Sequence, residues 1–237
     1  MINVVIPLAG EGSRFRKVYS LPKPLIPVNT VPMIARAIES LSIVGRYHFV
    51  VKDNEFLSDT VNAITSVCDN PNIITVKETT QGAACSALLL KEFIDNDDEL
   101  IIANCDQILN WDSYAALSYM RQYDAAVVTI DSSDIKHSYV KLVDGYAEQF
   151  AEKEVISNHA LTGIHYWKHG RYFVDSATKM IEANNYSNGE FYVAPSYNYL
   201  IRQGLEIGAY QLEANEFHAI GTPYDLEKYV YDTWKII

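Results

Sequence analysis

The stretch that most constrains this chain is Val4-Val5-Ile6-Pro7-Leu8-Ala9-Gly10-Glu11-Gly12-Ser13-Arg14-Phe15. An apolar run closed by a glycine turn reads as a strand covered on both faces, the situation of strands in a parallel sheet. The turn then sits at the strand's C-terminal end, the edge of an open α/β sheet where ligands bind. Gly10 and Gly12 remove the side chains that would keep a phosphate away from backbone N–H groups. Arg14, and Lys23 in Leu21-Pro22-Lys23-Pro24-Leu25-Ile26-Pro27, supply the cations. The two prolines around Lys23 are expected to hold its backbone extended. The spacing lacks the third glycine of a dinucleotide fingerprint and the Gly-Lys-Ser/Thr ending of a P-loop, so taken alone it leaves a plain tight turn open.

Strand and helix signals alternate after this turn without long linkers, which is the sign of a parallel sheet with crossover helices. Residues 32–41 place Ile34, Ile38 and Leu41 on one helical face behind a proline, and residues 47–51 form the next strand. A helix capped by Asn54 and a strand over 73–76 follow. Residues 78–88 read as a loop turning into a helix of small residues, and 99–106 as a second buried strand that ends in the carboxylate of Asp106. A helix over 113–123 leads to a strand over 125–130. Residues 139–143 and 146–153 flank Asp144-Gly145, a strong two-residue hairpin signal. A strand over 162–167, a helix over 172–184, an aromatic-rich segment over 188–201, a strand from Phe217 and a helix to about Trp234 complete the chain. The aromatics of 188–201 suit either a pocket wall or the core.

Function classes are narrowed by composition only where charge matters. With 19 Lys+Arg against 30 Asp+Glu the net charge is −11, which argues against long nucleic acid and anionic membrane surfaces as partners. An anionic small ligand therefore needs local help, and up to Lys52 the basic residues outnumber the acids Glu11 and Glu39. Apolar runs fall far short of the roughly 20 residues that span a bilayer, and the N-terminus reads as a strand, so a cytoplasmic location is expected. Cys68, Cys85 and Cys105 form no Cys-x-x-Cys unit and read as small, partly buried thiols. His165 and His169 have a spacing that suits metal ligands on a helix, but their segment reads as strand and turn.

Leu8-Ala9-Gly10-Glu11-Gly12-Ser13-Arg14-Phe15 together with Pro22-Lys23-Pro24-Leu25 resembles the signature of the sugar-phosphate nucleotidyltransferases, the pyrophosphorylases that make nucleoside-diphosphate sugars. The resemblance implies an α/β fold: a Rossmann-like, mostly parallel central sheet with helices on both faces and a small antiparallel hairpin region. It implies one domain over 1–237, with a nucleotide-binding half to about 130 and an acceptor-binding half beyond it. Triphosphate binding falls by this resemblance on Leu8, Ala9, Gly10, Gly12, Ser13, Arg14 and Lys23, and base contact on Gln81 and Gly82. Asp106 becomes the ligand of a Mg²⁺ cofactor, with Cys105 where the family usually has glycine. Lys153 would hold the acceptor's phosphate, and Glu152, Gly163 and Glu190 would meet the acceptor.

The implied reaction is attack of an acceptor phosphate oxygen on the α-phosphorus of an NTP with release of pyrophosphate. Arg14, Lys23 and Lys153 carry its catalytic roles. A sugar 1-phosphate acceptor and a pyrimidine nucleotide are preferred, and association of the chain with a second copy is left open. The C-terminal motif Phe217-His218-Ala219-Ile220-Gly221-Thr222-Pro223 departs from the family, which has a second metal-binding aspartate where Ala219 stands. Water, His218 or Asp225 would have to substitute, or catalysis would be weakened. Two alternatives follow: a cytidylyltransferase acting on a non-sugar phosphate such as phosphocholine, and a catalytically silent nucleotide-binding protein. A Rossmann-type dehydrogenase fits less well, because the third glycine is missing near Phe15 and Asp53 only roughly suits the ribose position.

Overall fold

Strand β1 (Ile2–Leu8) runs through the interior of a nine-stranded sheet, as its unbroken apolar sequence requires. Val4 and Ile6 enter the hydrophobic cluster on one face and Val5 the cluster on the other. In the computed structural model, which describes residues 1–235, β1 is flanked in parallel by β4 (Arg46–Lys52) and β6 (Glu99–Ala103), and β4 by β5 (Asn72–Val76). Between β1 and β4 come the short α1 (Ser13–Arg16), a ribbon of β2 (Pro27–Val28) and β3 (Val31–Pro32), and α2 (Met33–Leu41). Helix α3 (Leu57–Thr65) joins β4 to β5, while α4 (Ala83–Leu88) and α5 (Lys91–Ile94) join β5 to β6.

The second half adds β7 (Gln107–Leu109), α6 (Ser113–Met120), β8 (Ala125–Asp131), the hairpin β9 (Ser138–Val143) and β10 (Tyr146–Glu152), and β11 (His159–Trp167). Then follow α7 (Gly170–Glu182), α8 (Tyr197–Arg202), β12 (Ile207–Gln211), β13 (Phe217–Ala219) and α9 (Pro223–Trp234). The main sheet is ordered β10-β9-β11-β6-β1-β4-β5, with β8 on β11 and β12 parallel to β8. The expected α/β sheet with helices on both faces is therefore present. Its antiparallel part is larger than one hairpin, because β11 runs against β6, β8 and β9. Asp144 and Gly145 have φ of 50° and 86°, the two positive angles of a two-residue hairpin turn.

Two local expectations are corrected. Lys23 does not sit in extended backbone: Pro22 is extended, but Lys23–Leu25 close into a 3₁₀ turn, with Leu25 N–H on Pro22 O at 2.9 Å. Burial of Leu25 and Ile26 favours that turn, and Pro24 has no N–H to lose in its first positions. Asn54 does not cap α3; its Oδ1 accepts from Phe56 N–H at 2.9 Å in the turn ahead of the helix. A third cluster, formed by Phe15, Ile26, Val28, Met33, Ile108, Ile220 and Leu226, packs α9 and the β7–β13 ribbon beneath the glycine loop. Burying each of these large side chains is worth roughly 1.5–3 kcal/mol, enough to hold the loop's anchor in place. Among the described residues, no helix is long and apolar enough to cross a membrane.

Candidate active site

The glycine loop leaves β1 at its C-terminal end and is pinned from both sides. Phe15, at 1% exposure, locks it into the third cluster. Gly12 has φ +59°, and a Cβ there would lie 3.1 Å from the Lys23 Cβ. Glycine is thus demanded both by the left-handed backbone and by the approach of the Lys23 segment. Gly10 is exposed and has open space around it. Ala9 is fully buried in the core, so it offers a ligand only its backbone, whereas Leu8 and Ser13 line the cleft.

Glu11, which the sequence left without a role, ties the loop to the neighbouring strand ends. Its carboxylate accepts from Lys52 at the end of β4 and from Thr79 beyond β5, and pairs with Arg16 at 2.9 Å. The Lys52 and Thr79 hydrogen bonds hold its pKa down at about 2. Two of the cations counted in the sequence are thereby engaged. Arg14 lines the cleft and forms no ion pair among the described residues.

Lys23 Nζ donates to Asp106 Oδ2 at 2.6 Å, with each side chain only 19% exposed. Burial opposes both charges, but the pair more than offsets it: Lys23 is raised and Asp106 lowered from their ordinary pKa, with Arg14 also favouring the carboxylate. Neighbouring Cys105 is a neutral thiol, pushed up to about 11 by burial. Asp106 is fixed by its own backbone, since its carbonyl accepts Ile220 N–H at 2.9 Å where β13 meets β7. A Cβ on Gly221 would come within 2.8 Å of the Asp106 carboxylate oxygen. Gly221→Ala is accordingly expected to displace that carboxylate and lower turnover by about tenfold to a hundredfold. Its backbone is one that alanine adopts, so stability should fall by no more than about 1 kcal/mol in denaturant titration. Turnover equal to the parent's would show that the carboxylate position is not critical.

A cavity of about 600 Å³ opens beside this pair and shares Arg14, Ser13, Glu190 and Gly221 with a second cavity of about 250 Å³ over the glycine loop. Lys153 reaches it from the end of β10 with φ 54°; its Nζ donates to the Tyr192 hydroxyl at 2.6 Å and lies 4.5 Å from that ring's centroid. Glu152 and Lys153 form no ion pair with each other among the described residues; Glu152 instead accepts from the Ser138 hydroxyl. Burial raises the Glu152 pKa, and the nearby Glu190 adds to it. Glu190 is presented by a tight turn in which Ser187 and Glu190 exchange both backbone hydrogen bonds at 3.0 Å. Gly163 lies at a bulge of β11, and its φ of +90° and the Asn104 side chain packed against it leave no room for a Cβ.

Gln81 and Gly82 stand slightly apart from these groups. Gln81 is exposed and its carbonyl accepts Phe191 N–H at 2.7 Å; neither residue lines the two cavities, although the next one, Ala83, does. A Cβ on Gly82 would meet the Phe191 backbone at 2.5 Å, which accounts for the glycine by packing.

Of the side chains that could stand in for the missing aspartate at Ala219, Asp225 lines the larger cavity, while His218 packs against Tyr229 at 5.2 Å between ring centroids. Asp225 is engaged by the Thr222 hydroxyl at 2.7 Å in a box at the start of α9. No group of three or more His, Cys, Asp or Glu side chains suited to a metal exists among the described residues. One carboxylate beside the glycine-rich loop still suits Mg²⁺, which takes one or two carboxylates and fills the rest of its shell with ligand oxygens and water. His165 and His169 make no metal pair: His165 is buried in β11, and His169 Nδ1 donates to Asp97 O at 2.9 Å.

Gln107, His137 and Asn104 also line the larger cavity and carried no signal in the sequence. Gln107 follows Asp106 directly, but only the pairing of β7 with β13 places it there.

The family described as the MobA-like NTP transferase domain matches residues 4–162, more than half of the chain. No curated protein matches the sequence significantly. Among solved structures, a nucleoside-diphosphate-sugar pyrophosphorylase from Vibrio cholerae RC9 is similar with a TM-score of 0.84 at 21% identity, over 96% of this chain and 99% of that one. A UDP-glucose pyrophosphorylase complexed with UDP-glucose reaches 0.78 at 16% identity over 100% of both chains. The inositol-1-phosphate CTP transferase from T. maritima reaches 0.76 at 16% identity, over 98% of this chain and 94% of that one. At these identities the likeness establishes the fold.

Proposed function

We propose, on the premise that this chain belongs to the family of MobA-like NTP transferase domains and is a nucleotidyltransferase, that it transfers NMP from an NTP to a small phosphorylated acceptor, releasing pyrophosphate. The observation that carries the reading is the Lys23–Asp106 pair under the glycine loop, opening onto a cavity large enough for a second substrate. A phosphate monoester is largely ionised near neutral pH, so the chemistry needs cations and positioned donors more than a strong base. Arg14 would offset charge developing on the leaving pyrophosphate. Lys23 would turn from Asp106 to the nucleotide phosphates, and Lys153 would hold the attacking phosphate from the other side of the cleft. Mg²⁺ held by Asp106 and phosphate oxygens would supply neutralisation of the triphosphate.

A sugar 1-phosphate acceptor and a pyrimidine nucleotide are the preferred substrates. Two of the similar structures are named for UDP-glucose and for CTP with inositol 1-phosphate, which supports both preferences without deciding between them. Residues up to about 130 would serve the nucleotide and the remainder the acceptor, since Glu152, Lys153, Gly163 and Glu190 all border the larger cavity. Ala219 favours a second reading, a protein that binds nucleotide without turning it over. Pyrophosphate release from each of four NTPs, measured against a panel of phosphorylated acceptors, separates the two. Release is expected with CTP or UTP in combination with a sugar or cyclitol phosphate. Nucleotide binding with no release across the panel would favour the silent reading.

A further inference from the structure

The outer side of the third core cluster is not closed by the chain's own side chains. Tyr19 and Val230 pack against that cluster and, with Pro27, Leu226, Tyr231 and Trp234, line an open groove of about 380 Å³ between α9 and the segment that follows α1. Its lining is apolar apart from Glu227. Tyr224, Glu227, Tyr231 and Trp234 recur at helical spacing along one face of α9. Tyr224, Tyr231 and Trp234 are 73%, 60% and 74% exposed, and Val18 and Leu21, on either side of Tyr19, are exposed as well. At such exposure three aromatic rings alone present roughly 300–500 Å². Single exposed apolar residues are ordinary, but a contiguous patch of this size around a groove marks an interaction surface.

Shape, charge and area point to a second copy of this chain as the occupant. The Tyr231 and Trp234 rings stand beside the groove and leave it open, so each copy brings both a projection and a recess on one face, as an isologous two-fold contact requires. The chain carries a net charge of −11, so two copies repel over most of their surface. Around the groove the balance differs: the exposed lysines Lys17, Lys228 and Lys235 stand against the exposed acids Glu227 and Asp232. Lys17, two positions before Tyr19, and Glu227, in the α9 wall, enter no ion pair among the described residues. A two-fold axis across the groove would set each Lys17 against the partner's Glu227. The three rings supply about half of the roughly 800 Å² per partner of a standard interface, which suits a reversible dimer. We propose that α9 and the segment Lys17–Leu21 form a homodimer interface in which the Tyr231 and Trp234 rings of each copy enter the groove of the other. None of these residues lines either cavity of the candidate active site, so the interface stands apart from the catalytic reading.

Sedimentation equilibrium of the full chain between about 1 and 200 µM tests the interface, and the parent should dimerise within that range. Trp234→Asp should weaken the dimer by about a hundredfold or more, as the loss of an aromatic anchor does. Lys17→Glu should weaken it by about tenfold, because like charges then face each other across the two-fold axis. Adding Glu227→Lys to Lys17→Glu should restore most of that loss. Tyr114→Asp, on α6 and 77% exposed, should dimerise like the parent. All of these side chains are exposed, so each variant should keep the parent's circular dichroism spectrum. A parent that stays monomeric throughout the range would overturn the interface, whether or not the groove then takes up another protein or a lipid vesicle. So would a dimer unmoved by Trp234→Asp or by Lys17→Glu, a charge swap that restores nothing, or a loss in Tyr114→Asp equal to that in Trp234→Asp.

Discussion

Asp106→Asn is expected to lower turnover by a hundredfold or more, about 2.7 kcal/mol of transition-state stabilisation, while the fold is retained. The substitution keeps shape and removes the one carboxylate that, among the described residues, both pairs with Lys23 and lines the larger cavity. It also leaves the Lys23 ammonium in a confined place without its counter-charge, which should cost about 1–3 kcal/mol of stability at neutral pH. The pH dependence has a definite sign. The Asp106 pKa is depressed in the folded protein, so its contribution is complete above the ordinary carboxylate pKa and is lost as pH falls through the depressed value. The stability gap between the parent and Asp106→Asn should therefore close on acidification below about pH 4. Urea titrations at a series of pH values measure that gap. An unchanged steady-state rate in the folded variant would sink the proposed role of Asp106 as a metal ligand.

Lys23→Ala should be comparably damaging to turnover, again by about a hundredfold or more, for a different reason. The alanine variant loses the cation that would meet the nucleotide phosphates, yet it frees Asp106 of its present partner. The two variants are therefore distinguishable by binding. Mn²⁺ binding followed by electron paramagnetic resonance should survive Lys23→Ala and be lost in Asp106→Asn, whereas affinity for CTP or UTP should suffer more in Lys23→Ala. Lys23 is raised in pKa, so its share of stability is complete below the ordinary lysine value and is lost only as pH rises past the raised one. Its own titration therefore plays no part on the acid side, although its charge is the main cause of the Asp106 depression that gives the acid-side effect. Parent-like nucleotide affinity and turnover in Lys23→Ala would separate the lysine from the reaction.

Those residues of the candidate site that stood out by their own local pattern, Gly12, Arg14 and Asp106, lie in short motifs at the C-terminal end of a strand, whereas Glu152, Lys153, Gly163 and Glu190 came only from the family resemblance. Gly12, Arg14 and Asp106 follow β1 and β6, and the topology of a parallel sheet brings such ends together. Residues placed by the antiparallel additions lack such a local signal, and Gln107 and His165 were not legible as cavity residues. Gln107 reaches the cavity because β13 pairs with β7, and His165 because β11 bulges between Leu161 and His165. Glu11 escaped for the opposite reason: an acid inside a phosphate-binding signature has no evident use until Lys52 and Thr79 arrive beside it. Gly82 shows that a glycine within a functional signature can have a packing cause, since the Phe191 backbone occupies the place of its Cβ.

By itself the sequence determined what depends on neighbours along the chain. The apolar run of β1 demands cover on both faces, the glycine turn demands positive φ at Gly12, and Asp144-Gly145 demands a tight hairpin. Only the tertiary structure decided which charges neutralise one another and which polar groups stay unpaired. Lys23 and Asp106 are 83 positions apart, and Arg16 and Lys52 are drawn away to Glu11. Backbone conformation is set by local sterics, but electrostatic and hydrogen-bond satisfaction fall off over a few ångströms and depend on groups that only folding brings within that distance.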